Sequence, residues 1–111
     1  MLLLAVIIQA CNNNSTANDG YHIKADINGL INGKAHLVKL DLNTNEQINV
    51  DSTTIENGKF SFKGKVDSPY LHTLILKGKS NKIHLFLDNS NIDIRGNIDN
   101  LEKVHITSYK N

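Results

Sequence analysis

From Tyr21 to the end of the chain, apolar residues recur at every second position. "YHIKADIN" sets Tyr21, Ile23, Ala25 and Ile27 on one face and His22, Lys24 and Asp26 on the other. Side chains alternate across a strand but recur every three or four residues on a helix, so this period reads as strand with one face buried. Asn-Gly pairs punctuate the alternation at Asn28-Gly29, Asn32-Gly33 and Asn57-Gly58. Asn57-Gly58 is the strongest hairpin signal, because a type I′ turn needs positive φ at both central residues. After it, Phe60, Phe62 and Val66 fall on one side and Lys59, Ser61, Lys63 and Lys65 on the other. "QINVDSTTI" reads as a weaker strand. Pro69 cannot donate to a ladder and ends one run. "YLHTLILK" and "KIHLFLD", joined by "GKSN", are nearly apolar on both faces and read as central strands. "NIDIRG" alternates again, "NIDNLE" suits one helical turn, and "KVHIT" is a last short strand. The expectation is an all-β fold of about eight strands at roughly 10- to 13-residue spacing, arranged as an antiparallel β-sandwich or small barrel.

The 111 residues fit one domain, with no internal repeat, and can bury a core without disulfides or metals. Twelve Lys and Arg against eleven Asp and Glu leave a net charge of +1, which offers nothing to nucleic acid or an acidic partner. The single cysteine, Cys11, rules out an intramolecular disulfide, a CxxC redox pair and a thiolate zinc site.

Cys11 follows the apolar run Leu2 to Ile8. Seven residues cannot span a bilayer, which takes roughly 20, but they match the lower limit of a signal-peptide apolar region. Ile8-Gln9-Ala10-Cys11 resembles a bacterial lipobox, with Gln9 departing from the usual small residue. That resemblance implies cleavage before Cys11 and lipidation of its thiol. Acyl chains on a cysteine bind membrane at about 0.8 kcal/mol per buried CH₂. "NNNSTANDG" then holds no large apolar residue and reads as a flexible tether. The expected organisation is a signal-peptide remnant over 1–10, a lipidated cysteine and tether over 11–20, and a β-sandwich over 21–108.

Three stretches follow in order, "GLINGKAHLVKLD", "VDSTTIENGKFSFKGKVDSPYLHTL" and "IHLFLDNSNIDIRGNIDNLEKVHIT", within a resemblance that covers roughly residues 21 to 107. They resemble the bacterial module called domain of unknown function 4369. Gly29 and Leu30 match the end of its first element, where Ala25 stands in place of a glycine. Asp51, Ser52, Gly58, Phe60, Phe62 and Gly64 match its centre, and Phe86, Leu87, Asp88 and Asn89 its late segment. The resemblance implies a β module of envelope lipoproteins, often followed by a thioredoxin-like domain of the TlpA or AhpC/TSA type. A redox domain of that kind would lie beyond Asn111.

The matched residues have structural readings: Gly58 supplies a turn, Gly64 a bulge, and Phe60 and Phe62 core area. His22, His36, His72, His84 and His105 show no i, i+2 metal pairing, although a cross-strand contact of His72 with His84 is conceivable from the turn between them. "DNSNID" resembles a calcium loop, but Asp93 and Asp99 stand where Gly and Glu are needed. Lys59, Lys63 and Lys65 form a basic stripe without the interleaved aromatics that single-stranded nucleic acid requires. No catalytic, metal or cofactor residue is expected, and no nucleic-acid partner. The expected function is a non-catalytic module of the bacterial cell envelope, lipid-anchored through Cys11, that docks a protein partner through an edge strand. The alternatives are the front part of a thiol–disulfide oxidoreductase or peroxidase, and a small-ligand binder.

Overall fold

The computed structural model describes residues 19–76 and 82–110. Cys11, the lipobox-like run, most of the tether and the whole "GKSN" turn lie outside these residues. Eight strands follow in chain order: β1 (Tyr21–Asn28), β2 (Asn32–Asp41), β3 (Glu46–Glu56), β4 (Lys59–Gly64), β5 (Tyr70–Leu76), β6 (Lys82–Leu87), β7 (Asn91–Asn97) and β8 (His105–Tyr109). A short 3₁₀ helix, Ile98–Lys103, joins β7 to β8, its start capped by the Asn97 side chain accepting from the Asp99 amide. No helix among the described residues is long and apolar enough to cross a membrane.

The strands form one curled sheet, a half-barrel, in the order β6-β5-β2-β3-β4-β1-β7-β8. The expected wholly antiparallel sheet is corrected at one place: β1 and β7 run parallel, from His22 opposite Asn91 to Asn28 opposite Asn97. The reason is a crossing. β6 and β7 are consecutive but not paired, and Asp88–Ser90 carries the chain from one end of the sheet to the far half. There the His22 amide donates to the Ser90 carbonyl at 3.1 Å, so β7 starts beside the start of β1.

A second correction concerns β6, expected to be central. β5 is internal, but β6 is an edge strand. Ile83, Leu85 and Leu87 are buried while Lys82, His84 and Phe86 are exposed. Phe86 made the run look apolar on both faces, yet it faces solvent.

Two four-stranded halves, β6-β5-β2-β3 and β4-β1-β7-β8, enclose the core. Ile23, Ile27, Phe60, Phe62, Ile92 and Ile94 come from one half, and Leu37, Ile55, Leu74, Leu76, Ile83 and Leu87 from the other. Ile98 and Leu101 of the 3₁₀ helix are buried in the same cluster. Burial of each large side chain contributes about 1.5–3 kcal/mol.

Among the described residues the ladder joins the halves only at the β3–β4 hairpin, through the pair Glu56–Lys59. Asn57 and Gly58 have φ of 52° and 79°, as a type I′ turn demands. A Cβ on Gly58 would stand 2.4 Å from the Ile27 carbonyl oxygen. The Gly58 carbonyl accepts from the Ile27 amide at 2.9 Å, and the Gly58 amide donates to Ile31 at 3.1 Å, so the turn is tied to the end of β1 and the loop after it. Gly64 is not a bulge, contrary to expectation. It pairs with Tyr21, whose ring occupies the space a Cβ would need. The register shift falls instead between Leu37 and Val38 of β2, where Val50 of β3 has no partner.

Candidate interaction surface

β3 is the longest strand, and eight of its eleven residues are exposed. It pairs along its length with β2, from Asp41–Glu46 to Asn32–Glu56. On its other side only Glu56 pairs, with Lys59 of β4. Beyond that pair the strands diverge, and the β4-facing edge of Glu46–Ile55 has no ladder partner among the described residues. Ile48 and Val50 are 46 % and 42 % exposed there, an apolar surface on an open edge. The edge is partly blunted at its middle, where the Ser52 amide donates to the Asp51 carboxylate at 2.8 Å. Burial, and next the Asp51 charge, raise the pKa of the Tyr21 phenol.

An open trough of about 970 Å³ begins where β3 and β4 part, with Thr54 and Glu56 on one side and Lys24, Asp26, Lys59 and Arg95 on the other. The basic stripe read from sequence is part of this face, but it is not a basic patch. Lys59 lies across from Asp26, which lies across from Arg95; Ser61 lies across from Lys24, which lies across from Asp93. Lys59 Nζ stands 4.0 Å from the Asp26 carboxylate. Exposed pairs of this kind contribute at most about 1 kcal/mol. Charges of alternating sign on neighbouring strands thus offset the stripe. The pairing partners were invisible in sequence because β1 meets β4 and β7 only through the tertiary fold.

The other candidate groups are placed apart or engaged in bracing. His72 and His84 do not meet: His72 lies across from Leu85 and His84 across from Thr73, and successive residues face opposite sides. His72 is 2 % exposed, and its Nδ1 donates to the Tyr70 carbonyl at 2.9 Å. Burial holds its pKa below the usual histidine value, against the opposing pull of that carbonyl. His84 Nδ1 is 2.9 Å from Thr73 Oγ1. His22 is also lowered, first by burial and then by Lys63 and Lys24. His36 lies across from Ser52, and His105 across from Arg95. No group of three His, Cys, Asp or Glu among the described residues is close enough to hold a metal.

"DNSNID" builds a turn. Asn89 clamps the linker after β4, accepting from the Val66 amide at 2.9 Å and donating to the Val66 carbonyl at 2.8 Å. The Ser90 hydroxyl bonds the Asp88 carboxylate and lies 3.1 Å from Ser108 Oγ. Asn91 and Asp93 sit in the β1–β7 ladder. Asp88 and Asn89 are therefore committed to holding the crossing between the halves. The residues that sequence reasoning passed over are Ile48 and Val50, which read as the face of an ordinary strand. Only the loss of the β4 ladder makes them notable.

A family model described as "Domain of unknown function (DUF4369)" matches residues 21–111. Neither the curated proteins nor the solved structures contain a significant match.

Proposed function

On the premise that the chain belongs to the family described as a domain of unknown function (DUF4369), we propose that it is a non-catalytic docking module of the bacterial cell envelope, held at a membrane through Cys11. The observation that carries the docking is the open edge of β3, which leaves main-chain donors and acceptors for an extended partner. Support for the anchor comes from the lipobox-like stretch ending at Cys11 and the polar residues that follow it. The non-catalytic reading rests on where the polar side chains are placed. Asp88, Asn89 and Ser90 brace a turn, and Lys24, Asp26, Lys59 and Arg95 face opposite charges.

The test is the intact mass of the native protein extracted from envelope membranes in detergent. A mass of residues 11–111 plus acyl chains is expected. An unlipidated protein retaining Met1 would refute the anchor, and a mass larger by a thioredoxin-sized domain would make the module the front of a redox protein. A photo-crosslinking side chain at Val50, compared with one at Tyr109 of β8, reports on docking. Adducts at Val50 alone are expected, and the absence of adducts at both would refute it.

A further inference from the structure

Three of the exposed large apolar residues meet at one corner of the half-barrel. Leu71 of β5 lies directly across from Phe86 of β6. Leu85 and Leu87 are buried, and successive residues face opposite sides, so Phe86 and its partner Leu71 stand on the outer face. Leu42 follows β2, and its amide donates to the Tyr70 hydroxyl at 3.3 Å, which ties this turn to the start of β5. Phe86, Leu42 and Leu71 are 68 %, 66 % and 38 % exposed. Single apolar residues are ordinary on a surface, whereas a group of them marks a contact.

The fold places this corner at the end of the sheet where the chain enters from Cys11. β2 ends, β5 begins and β6 ends there. Directly after Leu87 the chain crosses through Asp88–Ser90, and the Ser90 carbonyl accepts from the His22 amide. β1 therefore starts beside the crossing that leaves Phe86. Tyr21 is ten residues on from Cys11, a reach of at most about 36 Å. A lipid on Cys11 thus tethers the sheet by this end and leaves the Asn57-Gly58 end on the far side. The charges at the tethered end are mixed, with Asp41, Glu46, Asp67 and Asp88 beside Lys39, Lys65 and Lys110. They do not draw this end to an anionic surface, so a contact here is apolar.

Resting on the anchor reading above, we infer that Leu42, Leu71 and Phe86 form a membrane-contact corner that seats the lipid-anchored module on the bilayer. The three side chains enter the boundary between headgroups and acyl chains. An apolar contact too small to recruit a free protein suffices once an anchor keeps it at the surface, because the second contact is then intramolecular. β3 begins at the same end of the sheet, so its open edge runs away from the membrane, toward an extended partner.

The chain has no tryptophan and one cysteine, which allows single-tryptophan reporters and a defined anchor. The full chain is coupled through Cys11 to a maleimide-headgroup lipid in phosphatidylcholine vesicles, so that anchoring is imposed and the contact is read by itself. Phe86→Trp and Leu42→Trp are expected to shift emission to the blue and to lose about half of it to lipids brominated in the upper acyl chain, at a depth of roughly 5–10 Å. Ile31→Trp, in the turn at the opposite end and 66 % exposed, is expected to do neither. Replacing part of the lipid by phosphatidylglycerol should leave the quenching unchanged. Quenching at none of the three positions, or equally at Ile31→Trp, would overturn the corner and leave the anchor reading standing. Quenching that requires phosphatidylglycerol would overturn its apolar basis. A blue shift of Phe86→Trp in native envelope membranes but not in protein-free vesicles would make the corner a protein contact and overturn the lipid assignment. The anchor reading fails separately, if the native protein proves unlipidated by mass.

Discussion

Replacing Asn89 by alanine removes the clamp between the β6–β7 crossing and the linker after β4. Two hydrogen bonds are lost, at 2.9 Å to the Val66 amide and at 2.8 Å to its carbonyl. Each is worth about 0.5–1.5 kcal/mol net. Val66 lies outside any strand and is half-buried, so water recovers only part of the loss. The expected destabilisation is about 2 kcal/mol, which for a domain of this size lowers Tm by roughly 8–16 °C. Urea unfolding followed by far-UV circular dichroism measures it, with the midpoint falling and the slope unchanged. Asn89→Asp keeps an acceptor for the Val66 amide but sets a carboxylate against the Val66 carbonyl, so it should lose at least half as much. A loss below about 0.5 kcal/mol for Asn89→Ala would refute the clamp as a structural brace.

Gly58→Ala forces a Cβ to within 2.4 Å of the Ile27 carbonyl oxygen at a φ of 79°. It should destabilise by at least 1–2 kcal/mol, roughly the cost of strain at such a position, read from the same urea midpoint. His72 has its pKa lowered chiefly by burial, so it contributes stability that is present above the unfolded value of 6.5 and lost as pH falls below it. His22 shifts the same way. Unfolding midpoints should therefore drop between about pH 7 and pH 5, and His72→Phe should flatten that slope. Phe86→Ser should change stability by less than about 0.5 kcal/mol by thermal melt, because Phe86 is 68 % exposed.

The local rules were readable in the sequence. Alternation placed β1 and β4 with the right residues inward, and Asn57-Gly58 announced its turn, because both depend on neighbours a few residues apart. "NIDNLE" became the 3₁₀ helix for the same reason. The unreadable features all depend on which distant strands meet. Nothing local tells β7 to enter beside β1, or that Asp26 and Asp93 will offset Lys59 and Lys24. Phe86 misled for a related reason: a large apolar residue predicts burial only when a layer exists to cover it, and none covers the outer face of β6. The open edge of β3 was least legible, since its residues are those of an ordinary strand. What exposes them is the early divergence of β4, whose inward Phe60 and Phe62 join the core with β1.

The central claim is that β3 and β4 share one pair and then part. Cross-strand NOEs and amide exchange in isotope-labelled protein test it most directly. The account predicts β3–β4 contacts confined to Glu56 and Lys59, with unprotected amides on the open side of β3 between Glu46 and Ile55. A continuous ladder running from Ile55 with Phe60 onward to Thr53 with Phe62 would contradict it.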